Sequence, residues 1–251
     1  MSPAAPELEW RGVRKVLGGR PVLDGLDLSL VAGRSLVIIG GSGQGKSVTL
    51  KLALGLMRPD AGTVLFRGRP LPGLFNRRQS VLYRQSGVLF QGSALFDSLR
   101  VWEIVSFRLL HADRWPRVRA REAAIEALAQ VQLGREVADL FPSELSGGMQ
   151  KRVGLARAIV GAPRVLFFDE PTTGLDPITA ASINRLIADQ VRRLGCTAVT
   201  ITHDLVSART IADEIALLDG GRIAWRGDRA DLDATDDHRV RSMVEASLPP
   251  R

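Results

Sequence analysis

A glycine-rich run that begins at residue 40 offers the clearest chemistry in the sequence. It reads Gly40-Gly41-Ser42-Gly43-Gln44-Gly45-Lys46-Ser47 and fits the pattern G-x-x-x-x-G-K-[ST]. Its glycines let successive backbone N–H groups point inward and surround phosphate oxygens at the start of a helix. We expect Lys46 to reach the β- and γ-phosphates of a nucleoside triphosphate and the Ser47 hydroxyl to bind Mg²⁺. The predicted phosphate-binding residues are Gly40, Gly41, Ser42, Gly43, Gln44, Gly45, Lys46, Ser47 and Val48.

An apolar run farther along the chain ends in two acids. Val165–Phe168 is followed by Asp169 and Glu170. A strand of this kind would deliver Asp169 to Mg²⁺, directly or through a water. Glu170 is suited to polarise the attacking water as a general base. The alternative is an acidic strand end without a catalytic role, but the phosphate loop upstream and Pro171-Thr172 directly after the pair favour hydrolysis.

A second phosphate-binding feature lies between these two sites. It reads Leu145-Ser146-Gly147-Gly148-Met149-Gln150, and we predict that it opens a helix from Met149 to Val160 whose N-terminus suits an anion. One nucleotide cannot easily meet two such sites in a single small domain. We therefore expect Ser146, Gly147 and Gly148 to contact the γ-phosphate held by a second copy of the chain. In isolation the Ser-Gly-Gly sequence is usually only a helix start, so its position along the chain carries this prediction.

These residues must be positioned by strands and helices that alternate along the chain. Arg34–Ile39 is predicted as a buried strand before the phosphate loop, with a helix from about Lys46 to Leu56 after it, which is the context a phosphate loop needs. Between about Phe90 and Ile159 the pattern is mostly helical. The other predicted elements are the strands Val22–Val31, Thr63–Phe66, Val165–Phe168, Thr197–Ile201, Ile215–Leu218 and Arg222–Arg226, and the helices Ala120–Val131 and Ile178–Leu194. The order indicates an α/β fold interrupted by a helical insert.

Length and composition limit the classes of protein that remain. The 251 residues, 45% hydrophobic and 24% charged, are typical of a globular protein with one domain or one domain and a subdomain. Because no apolar stretch is long enough to cross a membrane and the N-terminus lacks signal-peptide features, we expect the chain to stay in the cytosol and to act on a membrane through a partner. The single cysteine, Cys196, excludes an internal disulfide and is predicted to be a small core residue. The net charge of +7 admits nucleic acid, an anionic membrane surface or acidic ligands.

Taken together, the phosphate loop, the Ser-Gly-Gly turn and the acid pair resemble the ABC ATPases from about Leu8 to Asp228. The resemblance implies a P-loop NTPase (RecA-like) core with an antiparallel β edge and a helical signature subdomain. The implied organisation is a single ABC ATPase domain at 1–233, with its core at 1–89 and 160–233 and its helical subdomain at about 90–159, and a tail at 234–251. ATP and Mg²⁺ are the implied cofactors, and ATP hydrolysis is expected to drive transport through a membrane permease.

The resemblance also assigns individual roles. Gln91 would be the loop glutamine that senses Mg²⁺ and the permease, and His203 the switch histidine that contacts the γ-phosphate. Thr173–Asp176 would cross the dimer interface. Leu17 stands where the family stacks the adenine on an aromatic side chain, so plain apolar contact would replace stacking. The implied metal ligands are Ser47, Gln91 and Asp169, and the implied catalytic residues are Lys46, Glu170 and His203.

Met149 narrows the resemblance within the family. It stands where glutamine is commonest, and with Phe141–Glu144 before it the signature resembles ATPases of the maintenance-of-lipid-asymmetry (Mla) type, which serve MCE-domain lipid transporters. Further similar segments are Phe90–Phe96, Asp176–Thr179 and Asp237–Arg241. This implies a function in phospholipid transport between bacterial membranes. It also implies that the chain lies at the cytoplasmic face of the inner membrane. The implied partners are a second copy of the chain, an integral-membrane permease, an MCE-domain lipid-binding subunit and a small regulatory subunit.

Two other functions stay open on the sequence. The ATPase of a small-solute importer would share every catalytic residue, and only its permease would distinguish it. A DNA-associated ABC ATPase would suit the positive charge, but such proteins generally need a long coiled coil between the phosphate loop and the signature. Ser47–Leu145 has room only for a compact insert, so nucleic acid is not an expected partner.

Three surface features have both a plain and a functional interpretation. The apolar residues after Gln91 suit either ordinary packing or a groove for the permease. A basic run suits either a solvated helix face or attraction to anionic headgroups. Thr235-Asp236-Asp237 is predicted to cap a tail helix whose apolar stripe packs on the core or docks onto a neighbouring subunit. The apolar residues after Gln91 are Ala94, Leu95, Phe96, Val101 and Trp102. The basic run is Arg114, Arg117, Arg119 and Arg121, and the tail stripe is Val240, Met243, Val244 and Leu248.

Overall fold

The computed structural model describes residues 6–71 and 79–246, and the chain divides into two compact units. The first unit falls within Met1–Arg84 and Thr197–Arg251, and the second is Gln85–Cys196. The strands are β1 (Pro6–Leu17), β2 (Arg20–Val31), β3 (Ser35–Ile39), β4 (Ala61–Phe66), β5 (Arg69–Pro70), β6 (Ser86–Leu89), β7 (Val165–Asp169), β8 (Thr197–Ile201), β9 (Glu214–Asp219) and β10 (Arg222–Asp228). The helices are α1 (Lys46–Ala53), α2 (Gln79–Gln85), α3 (Val101–Val105), α4 (Phe107–His111), α5 (Arg117–Gln130), α6 (Gly147–Ile159), α7 (Pro177–Leu194), α8 (Leu205–Ile211) and α9 (His238–Ala246). The domain boundaries implied by the resemblance stay a prediction.

The first unit contains an antiparallel sheet with the strand order β2-β1-β4-β5. β1 and β2, with 12 residues each, are its longest strands. The sequence pattern gives no prediction for β1. Leu8, Trp10 and Val13 of this strand are buried, but the pairing register shifts between Trp10 and Val13. Such a bulge breaks the alternation of apolar and polar residues by which a strand is recognised in a sequence.

The first unit also contains the strands that precede the phosphate loop and His203. β3 pairs in parallel with β8 on one side and with β9 on the other, and β10 pairs antiparallel with β9. Every residue of β3 and of β8 is buried, as expected for strands covered on both faces. The predicted buried strand before the phosphate loop is therefore confirmed, as is Thr197–Ile201. Because β3 and β8 are parallel, the segments that follow them lie at the same edge.

The second unit joins a parallel strand pair to the helical insert. β6 pairs in parallel with β7, with Leu89 opposite Phe168. The section predicted as mostly helical contains α3, α4, α5 and α6, together with 3₁₀ turns at Arg135–Asp139 and Pro142–Glu144. Val101 and Trp102 are 0% and 6% exposed within this unit, so the plain interpretation, ordinary packing, is right for these two. Phe96 is half exposed and stacks on Phe107.

The basic run predicted at the start of α5 is engaged by the unit's own side chains. Arg117 makes an ion pair of 2.8 Å with Glu103, and Arg121 one of 2.7 Å with Asp139. The guanidinium of Arg119 lies 3.9 Å from the ring centre of Trp115. These contacts agree with the plain interpretation of a solvated helix face, although exposed pairs of this kind contribute little to stability. Attraction of these arginines to anionic headgroups stays a prediction.

Local capping explains where the helices differ from the predicted boundaries. α1 ends at Ala53 rather than Leu56, because Gly55 takes a left-handed φ of 67° and Leu56 N–H bonds back to Lys51. α6 begins two residues earlier than predicted, since Ser146 caps it and its Oγ accepts a hydrogen bond of 3.3 Å from Met149 N.

The tail helix α9 lies in the first unit. Asp237 caps it, because its Oδ1 accepts a hydrogen bond of 2.9 Å from Arg239 N. Val240 is 0% exposed, and an Arg239 guanidinium nitrogen donates to the Ala224 carbonyl of β10 at 3.1 Å. The core-facing interpretation is therefore right for Val240, while Met243 is half-buried and Leu248 lies outside the described residues.

Two predictions from composition can be examined directly. Cys196 is 3% exposed, and burial raises the pKa of its thiol to about 11, so the prediction of an inert core residue is confirmed. Within the described ranges, no helix combines the length and the apolar character that crossing a bilayer requires.

Candidate functional site

The phosphate loop connects β3 to α1 and depends on glycine at its last position. Gly45 has a left-handed φ of 101° and stands at the N-terminus of α1. A β carbon at this position would lie 2.9 Å from Leu23 Cδ2 and 3.0 Å from the Val22 carbonyl oxygen. Among the described side chains none caps this helix, so its first N–H groups face the loop and suit an anion.

Lys46 is held inside the loop by the loop's own carbonyl groups. It is 8% exposed, and its Nζ donates hydrogen bonds of 2.7 Å to Gly40 and 2.9 Å to Gly41. Ser47, the next residue, is exposed in the first turn of α1. The ammonium group and the backbone N–H donors therefore lie together, which is the arrangement that a polyphosphate requires.

The hairpin between β9 and β10 braces the loop, and the sequence pattern did not indicate this contact. Gln44 Oε1 accepts a hydrogen bond of 3.0 Å from Gly220 N. Gly40 lies so near β9 that a β carbon would meet the Leu218 carbonyl oxygen at 2.5 Å. Both contacts join residues more than 170 positions apart in the sequence, so only the pairing of β3 with β9 reveals them.

His203 lies at the edge of the first unit that carries the phosphate loop. Thr202 N donates a hydrogen bond of 3.1 Å to the Ile38 carbonyl, which extends the β3–β8 pairing to the start of both loops. His203 itself is exposed, and Asp204 after it caps α8 by accepting hydrogen bonds of 3.0 Å from Val206 N and Ser207 N. The structure thus brings His203 and the phosphate loop to one edge.

Leu17 and Trp10 occupy different environments in β1. Leu17 is 40% exposed at the turn between β1 and β2, and Val22 and Leu23 of β2 lie against Gly45. Trp10 is 1% exposed, and its indole N–H donates to the Thr49 carbonyl at 3.3 Å. Trp10 is therefore a core residue, and Leu17 is an exposed apolar side chain at the end of β1, in the hairpin whose second strand contacts Gly45.

Gln91, Asp169 and Glu170 lie at the same edge of the second unit. Asp169 ends β7 and Gln91 follows β6 by two residues, and the parallel pairing of these strands places both segments at the same end. Glu170 has a left-handed φ of 47°, which is uncommon for a residue with a side chain. Its carboxylate accepts a hydrogen bond of 3.2 Å from Thr173 Oγ1, which fixes its orientation.

Lys151 also belongs to this edge, although the sequence pattern did not single it out. It is 5% exposed in α6, and its Nζ donates a hydrogen bond to the Gln91 carbonyl. Burial lowers the pKa of the Lys151 ammonium, and attraction by the Asp169 and Glu170 carboxylates opposes that shift. A lysine in a helix is usually solvated, and only the packing of α6 on the Gln91 segment shows otherwise.

The Ser-Gly-Gly turn presents an exposed helix N-terminus. Ser146 and Gly147 are exposed, and Gly148 is half-buried against α7, where a β carbon would lie 2.9 Å from Thr179 Cγ2. Ser146 caps the 13-residue helix α6, so the N-terminal end of its dipole faces solvent. This exposure is what a contact with a second copy requires, and the contact itself stays a prediction.

The side chains predicted to bind Mg²⁺ through oxygen differ in exposure. Gln91 and Ser47 are exposed, and Asp169 is half-buried. In the described part of the chain no group of three or more histidine, cysteine, aspartate or glutamate residues could hold a metal by itself. Hydroxyl, amide and carboxylate oxygens are the ligands that Mg²⁺ prefers, and it takes the rest of its shell from water and substrate phosphates.

Comparison with known proteins gives a family and several relatives. A family model described as "ABC transporter" matches residues 23–173. The intermembrane phospholipid transport system ATP-binding protein MlaF of Escherichia coli (strain K12) is 35% identical over 238 residues, covering 95% of this chain and 88% of that protein. The probable ribonucleotide transport ATP-binding protein mkl of Mycobacterium tuberculosis (strain ATCC 25618 / H37Rv) is 34% identical over 242 residues, covering 96% and 67%.

A further relative and a solved structure are also similar to this chain. The methionine import ATP-binding protein MetN of Leifsonia xyli subsp. xyli is 39% identical over 226 residues, covering 89% of this chain and 66% of that protein. The dimeric ATP-binding cassette MJ0796, solved in a post-hydrolysis state with ADP and Pi, superposes with a TM-score of 0.80 at 29% identity. That likeness covers 88% of this chain and 98% of the cassette, which agrees with the fold predicted from the sequence.

Proposed function

The chain belongs to the ABC transporter family as an ATP-hydrolysing subunit, and we propose that it powers phospholipid transport between bacterial membranes. The observation that carries the substrate class is the likeness to MlaF, whose name is that of an intermembrane phospholipid transport protein and which aligns over 88% of its length. The sequence Leu145–Met149, with methionine at its last position, agrees with this assignment.

ATP is held chiefly through its phosphates. Backbone N–H groups of Gly40–Val48 surround the phosphate oxygens, and the Lys46 ammonium adds positive charge beside them. The left-handed backbone of Gly45 and the hydrogen bond between Gln44 and Gly220 support a loop that is shaped before the nucleotide arrives. Leu17 contacts the adenine by apolar packing.

Hydrolysis needs positioned groups more than covalent chemistry. Glu170 accepts a proton from the attacking water, and its hydrogen bond with Thr173 supports a fixed carboxylate. His203 donates to the γ-phosphate. Ser47, Gln91 and Asp169 hold Mg²⁺, which when bound neutralises charge on the phosphate oxygens.

The working assembly contains two copies and a permease. ABC cassettes form dimers and work with a membrane permease, and the solved relative is itself dimeric. In our proposal Ser146–Gly148 of one copy contacts the γ-phosphate of the ATP held by the other. The remaining proposed partners are an MCE-domain lipid-binding subunit and a small regulatory subunit, with the chain bound at the cytoplasmic face of the inner membrane.

Capture of the native complex tests the substrate class. The full chain with an affinity tag and the substitution Glu170→Gln, which slows hydrolysis, would be recovered from native membranes with ATP and Mg²⁺. Co-purified proteins and lipids are then identified by mass spectrometry. We expect a permease, an MCE-domain protein and phospholipid in excess over the tagged Lys46→Ala control, which does not close on ATP.

The second candidate is an importer of small solutes, which the 39% identity to MetN favours. The same capture distinguishes the two functions. A permease accompanied by a soluble solute-binding protein, with no MCE-domain protein and no enriched phospholipid, would support the importer and contradict phospholipid transport.

A further inference from the structure

The segment after Gln91 adopts a backbone conformation that side-chain-bearing residues rarely take. Ser93 and Ala94 have consecutive left-handed φ values of 59° and 45°. Ser93 is also buried, with 2% of its surface exposed. Such a conformation persists only where the surrounding structure holds it, and it is concentrated at functional segments.

Two cationic side chains of α6 hold this segment by its carbonyl groups. The buried Lys151 donates a hydrogen bond to the carbonyl of Gln91, the predicted loop glutamine. Arg157 divides its guanidinium between two acceptors, with hydrogen bonds of 2.8 Å to the Ser93 carbonyl and 2.5 Å to the Ala94 carbonyl. Three carbonyl groups within four residues are thus bonded to one helix.

Small residues let α6 approach the segment closely enough for these bonds. A β carbon on Gly154 would lie 2.7 Å from Leu89 Cδ1 and 3.5 Å from Ser93 Cβ. A β carbon on Gly87 would overlap the Ala158 carbonyl of α6. At these two glycines α6 therefore packs closely against β6 and against Ser93, and a shift of the helix must move this part of the chain.

The helix that holds the segment begins at the Ser-Gly-Gly turn. Ser146 caps α6, and Lys151 follows it by five residues in the same helix. Lys151 is also drawn electrostatically toward Asp169 and Glu170, at the edge where Gln91 lies. One helix thus runs from the Ser-Gly-Gly turn to the residue that bonds to Gln91.

We propose that Lys151 and Arg157 are positioning residues for ATP hydrolysis. By holding the carbonyl groups of the Gln91–Ala94 segment, they fix the Gln91 side chain and make it follow the N-terminal end of α6. The inference rests on the function proposed above for Gln91 and for Ser146–Gly148. It predicts that these two cations act through Gln91, rather than only through the stability of the fold.

The test uses the full chain and steady-state ATP hydrolysis with Mg²⁺. Lys151→Met keeps the apolar stem and removes the donor, and we expect kcat to fall about tenfold with KM for ATP changed less than about twofold. Lys151→Arg restores a donor and should recover most of kcat. Arg157→Lys, which can satisfy one carbonyl instead of two, should lower kcat by an intermediate factor.

A double-mutant cycle separates positioning from a structural role. In a Gln91→Ala background, Lys151→Met should change kcat by less than about twofold, because the side chain it positions is gone. Arg152→Lys is the matched control: Arg152 lies on the same helix but bonds to Ser182 Oγ and the Gln132 side chain, away from the segment. It should keep wild-type kcat.

Several results would overturn the inference. They are a wild-type kcat in Lys151→Met, an undiminished effect in the Gln91→Ala background, and an equal loss in Arg152→Lys and Arg157→Lys. If Lys151→Met fails to fold, the comparison of Arg157→Lys with Arg152→Lys decides the question. A wild-type chain that hydrolyses ATP while its native complex carries no phospholipid would contradict the proposed substrate and leave this test intact.

Discussion

Leu17 is the residue whose predicted role departs most from the family pattern, and it can be tested alone. Leu17→Phe would place a ring at the exposed end of β1, in the hairpin whose second strand contacts Gly45. Stacking of a base on an aromatic ring contributes about 1 kcal/mol or more, so we expect the Kd for ATP to fall about three- to tenfold. Binding of ATP and of GTP by calorimetry measures the change.

Val16→Phe is the matched control for this substitution. Val16 is 42% exposed and precedes Leu17 in β1, so its side chain points to the opposite face of the strand. A ring there should leave the Kd for ATP unchanged. If both substitutions change the Kd equally, or neither does, Leu17 is not the adenine contact.

The sequence predicts which residues form the site better than it predicts the surroundings of those residues. Lys46, Asp169 and Glu170 are recognised from spacing alone, because phosphoryl transfer demands these side chains in this order. Lys151 cannot be recognised in this way, because the Gln91 carbonyl that accepts its hydrogen bond lies 60 positions away in the chain. Trp10 is a second example, since its role as a core residue is known only from its burial and its bond to the Thr49 carbonyl.

Among the elements, the turn from β3 into α1 makes the strictest demand on one residue. Gly45→Ala combines a left-handed φ of 101° with a β carbon pressed against Leu23 and Val22. The loop must then shift, and we expect ATP affinity to fall at least about tenfold because its N–H donors lose their alignment. Nucleotide binding to the purified variant measures this directly.

Gly195→Ala controls for the backbone strain without the clash. Gly195 ends α7 with a φ of 59°, and among the described residues nothing lies within 4 Å of an added β carbon. It should cost about 1 kcal/mol of unfolding free energy and leave ATP binding intact. Equal losses of ATP affinity in the two variants would show that the loop does not require glycine at residue 45.

Elements with uninterrupted patterns could be predicted, and those with interrupted patterns could not. β3 is five buried residues in a row, and its apolar run alone indicates a central strand. β1 is broken by a bulge and carries charged residues between its buried ones, so its pattern resembles neither a strand nor a helix. Helix ends moved by a few residues wherever a glycine or a capping side chain decided them, as at Gly55 and Ser146.

At the scale of the whole molecule, the tail helix is part of the folded chain. Val240 is 0% exposed, so Val240→Ala removes buried methyl groups and should lower the unfolding free energy by about 2 kcal/mol. Arg241→Ala, at an exposed position of the same helix, should change it by less than about 0.5 kcal/mol. Denaturant unfolding compares the two. A Val240→Ala variant as stable as the wild type, but weaker in complex assembly, would instead make the tail a docking segment.

The overall α/β architecture could be predicted because strand, loop and helix signals follow one another in the order that a phosphate-loop fold needs. The burial of individual tail residues could not be predicted, because a short amphipathic stripe can pack on the core or on a partner equally well. The number of copies was inferred from chemistry: Ser146–Gly148 is a phosphate site for which one copy has no use.

Pairing of two copies on ATP can be measured directly with the variant Glu170→Gln. Without its general base the chain should hydrolyse ATP at least about 100-fold more slowly while still binding it. The solution mass of Glu170→Gln with ATP and Mg²⁺ should then be that of two chains. The same variant carrying Ser146→Arg should bind ATP and keep the mass of one chain. A single-chain mass for Glu170→Gln with ATP, or a dimer that Ser146→Arg leaves unchanged, would contradict the two-copy account.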